Sequence, residues 1–362
     1  MRHMSTIQVV AITGGSAGIG RATARAFARQ GVSVGIIARG NDALEATKVE
    51  LENLGVRALG VSADVADAEQ VEAAAAEIER ALGPIDVWIN AAMTTILAPV
   101  AETDADDFRR ATEVTYLGAV HGTMAALKRM RARDDGTIVQ VGSALAYRSI
   151  PLQAAYCGAK AALRGFTDSL RSELHHDRSR VRLTMVQLPA HNTPQFNWCQ
   201  TSLPNAPRPV PPVYQPEVAA EAIVRAAQHP RRELLVGPTT IKAIWVNKFA
   251  AGLLDRYLAR TAYSGQQTDR PIGEGRRDNL WTPVPGDHGA RGRFDAEARS
   301  RSLQLWATTH RAAAGSALLG ATLLLIGAAR LFARQWQRRP AKTAGSSLPD
   351  QASRLRYNSR QL

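Results

Sequence analysis

"IQVVAITGG", residues 7–15, runs directly into "SAGIG", residues 16–20. The first part is a short β-branched run that ends in glycines, the pattern of a strand buried on both faces of a parallel sheet. "RATARAFARQG" follows with helical spacing and closes on Gly31. A glycine-rich turn between a strand and a helix lets a pyrophosphate approach the helix N-terminus, where free N–H groups and the dipole favour anions. Three glycines in a loop mean little by themselves. At the junction of the first strand and first helix of an α/β pattern they point to a dinucleotide, held by Gly14, Ser16, Gly18, Ile19 and Gly20.

The pattern continues outward. "VSVGIIAR" (32–39), "VRALGVSADV" (56–65), "IDVWINAA" (85–92), "GTIVQVGS" (136–143), "RVRLTMVQLPA" (180–190) and "RELLVG" (232–237) read as six further strands. Helical stretches such as "NDALEATKVELENLG" (41–55) and "AEQVEAAAAEIERALG" (68–83) separate them. Strands alternating with helices predict an α/β fold, a doubly wound parallel sheet of about seven strands. Right-handed crossovers place every strand's C-terminal end on one edge, where ligands bind.

A chain of 362 residues, 45% apolar and 21% charged, buries a full core. Cys157 and Cys199 provide neither a disulfide framework nor metal-ligand spacing and fit a reducing, cytoplasmic compartment. No secretory signal is expected, because the strand pattern begins by Ile7. The net charge of +13 is uneven: from Arg330 onward eight Lys/Arg face Asp350 alone. The excess therefore does not argue for nucleic acid as a partner.

Two positions on the ligand edge bear on chemistry. The second strand ends in Ala38-Arg39, with no carboxylate to bind the adenosine ribose and select NAD. Arg39 offers a planar fork suited to a 2′-phosphate, which favours NADP(H) over NAD(H). "SALAYRSIPLQAAYCGAK" (143–160) places Tyr156 and Lys160 four apart, on one face of a helix. Tyrosine is a poor base at neutral pH, and a nearby ammonium lowers its pKa. Tyr147 has no such partner; Tyr147, Ser149 and Cys157 are packing or substrate-wall candidates.

Together these motifs resemble the short-chain dehydrogenase/reductase family in its compact form. The resemblance rests on Thr13-Gly14-x-x-x-Gly18-x-Gly20, Asp64-Val65, Asn90-Ala91-Ala92, and Ser143 thirteen residues before Tyr156-x-x-x-Lys160, and it covers about residues 5–238. It implies a Rossmann-fold oxidoreductase in which Tyr156 exchanges a proton with a substrate hydroxyl or carbonyl. Lys160 would hold the nicotinamide ribose and lower the Tyr156 pKa, and Ser143 would orient the oxygen. It further implies cofactor contacts from Asp64, Val65, Asn90, Ala91 and Thr193. The chain departs from the family in having Ala92-Met93 for Ala-Gly, Ala190 for the glycine after Pro189, and Thr115 where a fourth catalytic asparagine often stands.

Residues 189–216 hold eight prolines with Phe196 and Trp198 between them. They predict a substrate lid without regular structure, its aromatics favouring an apolar substrate. His175, His176 and His191 lack metal spacing and read as surface or lid residues. Beyond the dehydrogenase region 1–238, residues 239–263 have an apolar stripe with Lys242, Lys248 and Arg256 opposite, which fits packing on the domain or lying on a membrane surface. Residues 264–305 read as a polar linker. Residues 312–329 are free of charge, flanked by Trp306 and Trp336, and predict a membrane-spanning or membrane-associated helix over 306–336. A basic, disordered tail follows over 337–362.

The resulting expectation is an NADP(H)-dependent oxidoreductase acting on a small alcohol or ketone, membrane-associated, with self-association possible in principle. Two other classes share the motifs. A dinucleotide-binding regulator would show no NADPH oxidation over ketones. An isomerase or dehydratase would not accumulate reduced cofactor in stoichiometric amount.

Overall fold

The computed structural model describes residues 7–337, and the chain divides into two units, Met1–Thr309 and His310–Leu362. The first unit is built on a seven-stranded sheet, ordered edge to edge Glu233–Leu235, Arg182–Leu188, Thr137–Ser143, Val87–Asn90, Val9–Thr13, Ser33–Ala38, Ala58–Ser62. All neighbouring pairs are parallel. Consecutive side chains of a strand point to opposite faces, so the two halves of "VVAIT" enter different cores. Val10 and Ile12 pack with Phe27, Ile36 and Ile223 on one face, and Val9 and Ala11 with Trp88, Ile78 and Leu183 on the other. Burying each large apolar side chain contributes roughly 1.5–3 kcal/mol, which is why every central strand reads as a continuous apolar run.

The chain reverses between the Val9–Thr13 and Val87–Asn90 strands, opening a crevice at their carboxyl ends. Helix Gly18–Ala28 starts there, as does helix Ala154–His176, which carries Tyr156 and Lys160.

Three expectations for the later chain are corrected. The lid over 189–216 is not irregular throughout: it holds a short helix, Gln195–Trp198, and three short strands, each paired elsewhere. Gln200–Thr201 pairs with Ile96–Leu97, Asn205–Pro207 with Gln267–Pro271, and Val213–Tyr214 with Ala298–Arg299. The expected linker, 264–305, is a strap held against the sheet's carboxyl edge. Of its apolar residues Leu280, Ala290, Phe294 and Leu305 are buried, whereas Trp281 and Leu303 are exposed. Its charges find distant partners, among them Arg21 with Asp287 and Arg208 with Glu297. Composition averaged over the segment hides those anchors.

The helix expected over 239–263 runs from Pro238 to Gly265, with non-helical geometry at Ala250. Only Thr240, Ile244 and Ala262 are buried in it, whereas Trp245, Phe249, Leu253 and Tyr257 are exposed. The element expected over 306–336 is two helices, Leu303–Thr309 in the first unit and Arg311–Gln337 in the second. Among the described residues, no helix is long and apolar enough to cross a membrane. The expected element falls partly on residues 317–319, 321, 323 and 333–336, whose side chains lie outside the described ones, as does the tail over 338–362.

Candidate active site

The crevice holds a cavity of about 430 Å³. Its floor is the glycine-rich turn. Gly14 takes φ +69°, and a Cβ there would lie 2.7 Å from the Ala92 Cα; one on Gly20 would collide with the Gly14 carbonyl. The loop is therefore pressed between the fourth strand's end and the helix start, leaving backbone alone to face a ligand. Thr13 Oγ1 fixes the opposite turn by accepting from the Ala91 and Ala92 N–H groups at 3.2 and 3.3 Å.

Gly14, Ser16, Gly18, Ile19, Gly20, Arg39, Asp64, Val65, Ala91, Ser143, Tyr156, Lys160 and Thr193 all line this one cavity. They come from six segments that only the sheet brings together. Asn90 and Thr115 are not among its lining residues. The Asn90 amide is turned into the core, accepting from Trp88 Nε1 at 2.8 Å and donating to Thr123 and Gln140 at 3.0 Å. Thr115 is buried in a wider, π-helical turn, Glu113–Leu117. Its hydroxyl donates to the Thr94 carbonyl at 2.9 Å and accepts from the Thr94 N–H at 3.1 Å. Both side chains brace the walls behind the cavity.

Tyr156 and Lys160 sit one turn apart, with Lys160 Nζ 5.7 Å from the tyrosine ring centre. Lys160 is 2% exposed and donates to the Val141 carbonyl at 2.7 Å. Burial pulls its pKa down to about 8. Burial also pushes the Tyr156 phenol up to about 12, opposed by a hydrogen bond with Ser143. In this environment the phenol is protonated at neutral pH. Ser143 is held in turn by the Leu145 N–H at 3.1 Å. Tyr147 stands apart, its hydroxyl donating to Glu233.

Arg39 reaches the cavity, but its guanidinium also donates to the main-chain carbonyls of Asn279, Leu280 and Trp281. Asp64 is paired with Arg110, which holds the Leu280 carbonyl at 3.2 Å. The Gly18 N–H donates to the Gly289 carbonyl at 3.1 Å. The strap thus supplies part of the wall, through Asn279, Pro283, Val284 and His288, and helix Pro238–Gly265 supplies Thr239, Thr240 and Ala243. Sequence reasoning missed these residues, because neither segment has a local signal of ligand contact. His191, read from sequence as a surface or lid residue, lies in the 189–216 segment, is buried and lines the cavity.

Similarity to known proteins agrees with this geometry. The sequence profile described as short chain dehydrogenase matches residues 8–200. The chain is 33% identical over 303 residues to an uncharacterized oxidoreductase of Bacillus subtilis, YxnA, covering 83% of this chain and 85% of that one. It is 31% identical over 226 residues to a Danio rerio 3-dehydrosphinganine reductase, covering 60% and 68%. An alcohol dehydrogenase from the archaeon Thermococcus sibiricus, solved in complex with 5-hydroxy-NADP, superposes with a TM-score of 0.55 at 27% identity. That superposition covers 64% of this chain and 96% of the other.

Proposed function

The chain belongs to the short-chain dehydrogenase family and is an oxidoreductase of the CH–OH/carbonyl type, and we propose that it works with NADP(H) on a secondary alcohol or ketone of apolar character. One observation carries the reading: Ser143, Tyr156 and Lys160 meet in the same cavity as the glycine-rich turn.

The cavity fits a dinucleotide. The turn around Gly14 and Gly20 leaves no room for side chains, and backbone and helix N-terminus there suit a pyrophosphate. Arg39, preceded at the second strand's end by Ala38 and not by a carboxylate, supports NADP(H), as does the 5-hydroxy-NADP bound to the superposed alcohol dehydrogenase. The nicotinamide, when bound, supplies or accepts the hydride. The protein's part is at the substrate oxygen. In reduction, Ser143 would hold the carbonyl oxygen and Tyr156 would give it the phenolic proton. In oxidation the proton moves back. Lys160, charged below about pH 8, would favour the transient phenolate and grip the ribose. Phe196, Trp198 and Val210 on the lid side of the cavity support an apolar substrate. NADPH oxidation over a series of aliphatic and aromatic ketones tests the reading; no turnover with any of them, in either direction, would defeat it.

Contact with an anionic lipid surface belongs to the same proposal, by lying on the leaflet. On helix Pro238–Gly265, Trp245, Phe249, Leu253 and Tyr257 recur every fourth residue and are exposed, Phe249 to 81%. Lys242, Lys248, Arg256 and Arg260 are exposed on the same helix, and its Asp255 is paired with Arg148. Apolar side chains rimmed by cations complement an anionic leaflet. The apolar stretch 312–329 supports a second point of contact.

A further inference from the structure

Three buried polar atoms without a hydrogen-bond partner belong to residues lining the one cavity: His191 Nε2, Thr239 Oγ1 and Thr240 Oγ1. His191 is 5% exposed and Thr240 1%. His191 Nδ1 lies 2.9 Å from the Pro189 carbonyl. A carbonyl only accepts, so the ring proton is on Nδ1 and Nε2 is a bare lone pair. Thr239 and Thr240 are in the first turn of helix Pro238–Gly265. That turn is fixed beside the histidine: a Cβ on Gly237 would lie 3.3 Å from the Pro189 ring and 3.4 Å from the Tyr214 ring, and Tyr214 packs 6.2 Å from His191, centre to centre. Buried polar groups are nearly always paired, and an unpaired one in a cavity wall calls for a partner that water or a bound ligand supplies.

We propose that His191, Thr239 and Thr240 form a polar subsite for a neutral hydroxyl or primary amide carried by a molecule in the cavity. The imidazole lone pair takes an N–H or O–H, and the threonine hydroxyls can donate to the oxygen of the same group. A carboxylate has no proton for Nε2 and is repelled by it, so the subsite selects against anions there. The group has two sources: a hydroxyl on the substrate, separate from the reacting carbonyl, or the carboxamide of the nicotinamide. The inference rests on the oxidoreductase reading above.

The test uses the full chain and two variants, His191→Leu and Thr240→Val, each checked for folding by its thermal midpoint. Dissociation constants are measured calorimetrically for NADPH, and, on enzyme loaded with NADP+ so that no reduction occurs, for decan-3-one and 1-hydroxydecan-3-one. A substrate subsite predicts that the wild type binds the hydroxyketone about tenfold tighter than the plain ketone and that either variant removes most of that preference. A carboxamide subsite predicts instead that NADPH affinity falls about tenfold in the variants. Folded variants in which neither the ketone ratio nor the NADPH constant moves by twofold overturn the proposal. Turnover of the two ketones with NADPH is measured separately: a wild type that binds them without reducing them counts against the oxidoreductase reading and leaves the subsite result standing.

Discussion

Lys160 Nζ lies 5.7 Å from the centre of the Tyr156 ring and donates to the Val141 carbonyl, not to the tyrosine. In the proposed mechanism the lysine therefore acts on the phenol through space, and the two groups make separable contributions. Replacing Tyr156 by Phe removes the proton donor and keeps the ring. We expect turnover to fall by about 10²–10⁴ while the NADPH dissociation constant stays within a few-fold of wild type. Wild-type turnover in a steady-state assay would sink the assignment.

The Lys160 shift has a consequence for the rate. Its pKa in the fold is about 8, below the ordinary lysine value, so it is charged at pH 7 and loses its charge as pH rises through 8. Carbonyl reduction should therefore decline above about pH 8. An arginine at this position stays charged across that range. In Lys160→Arg, whatever activity remains should not decline between pH 7.5 and 9. A wild-type profile flat to pH 9.5 would dissociate the rate from Lys160.

The same shift bears on stability. The fold disfavours the ammonium, so the penalty is fully present below about pH 8 and is relieved as pH rises toward the ordinary value of 10.5. Against Lys160→Met, the wild type should be less stable at pH 7 by on the order of 3 kcal/mol. That gap should close by pH 10.5. Denaturant titrations at the two pH values measure it, and a gap that widens with pH would reverse the sign.

Arg39 has two tasks in this structure, facing the cavity and holding the carbonyls of residues 279–281. Arg39→Asp should shift the NADPH/NADH ratio of kcat/KM toward NADH by roughly 10- to 150-fold, the worth of a charge-assisted hydrogen bond. It should also raise amide hydrogen exchange over residues 279–284. An unchanged ratio with raised exchange would make Arg39 a strap anchor only.

The strap and the helix after it set where the chain can be cut. Leu305 is buried in the core, and Gln304 accepts from the Gly237 N–H at 2.7 Å and donates to the Leu235 carbonyl at 3.1 Å. A chain ending at Thr309 should keep the full-length thermal midpoint within a few degrees. One ending at Asp295 loses Ala298–Arg299 and Leu305 and should melt well below it. Equal midpoints would mean that these contacts contribute nothing to the fold.

For the exposed stripe, the double change Phe249→Asp and Leu253→Asp should abolish a blue shift of a solvatochromic dye on Tyr257→Cys when phosphatidylserine vesicles are added. Both native cysteines are buried, which keeps the labelling selective. A blue shift that instead grows with protein concentration and without vesicles would identify a second copy as the partner.

The main sheet was readable because its signals are local: apolar runs, glycine turns and helical spacing each occupy a dozen residues. The glycine-rich turn and the Ser143, Tyr156 and Lys160 set were readable for the same reason, since spacing along one strand end and one helix face already fixes who meets whom. Asn90 and Thr115 were misplaced at the cavity because a motif names a position without the direction of its side chain. Asn90 is drawn inward by Trp88, Thr123 and Gln140, and Thr115 by the Thr94 main chain.

By itself the sequence determined a parallel α/β sheet, its glycine-rich strand–helix junction, and the placing of Tyr156 and Lys160 on one helix face. Each follows from periodicity and chain chirality over short distances. Only the tertiary structure decided that residues 264–305 supply part of the cavity wall, that Arg39 is shared with them, and that His191 is buried with a bare nitrogen. Those outcomes depend on pairs far apart in the chain, such as Arg21 with Asp287 and Trp281 with Asp107. Such pairs act one by one and leave no average in composition: a charged or proline-rich stretch reads as solvent-loving until a partner two hundred residues away removes it from water.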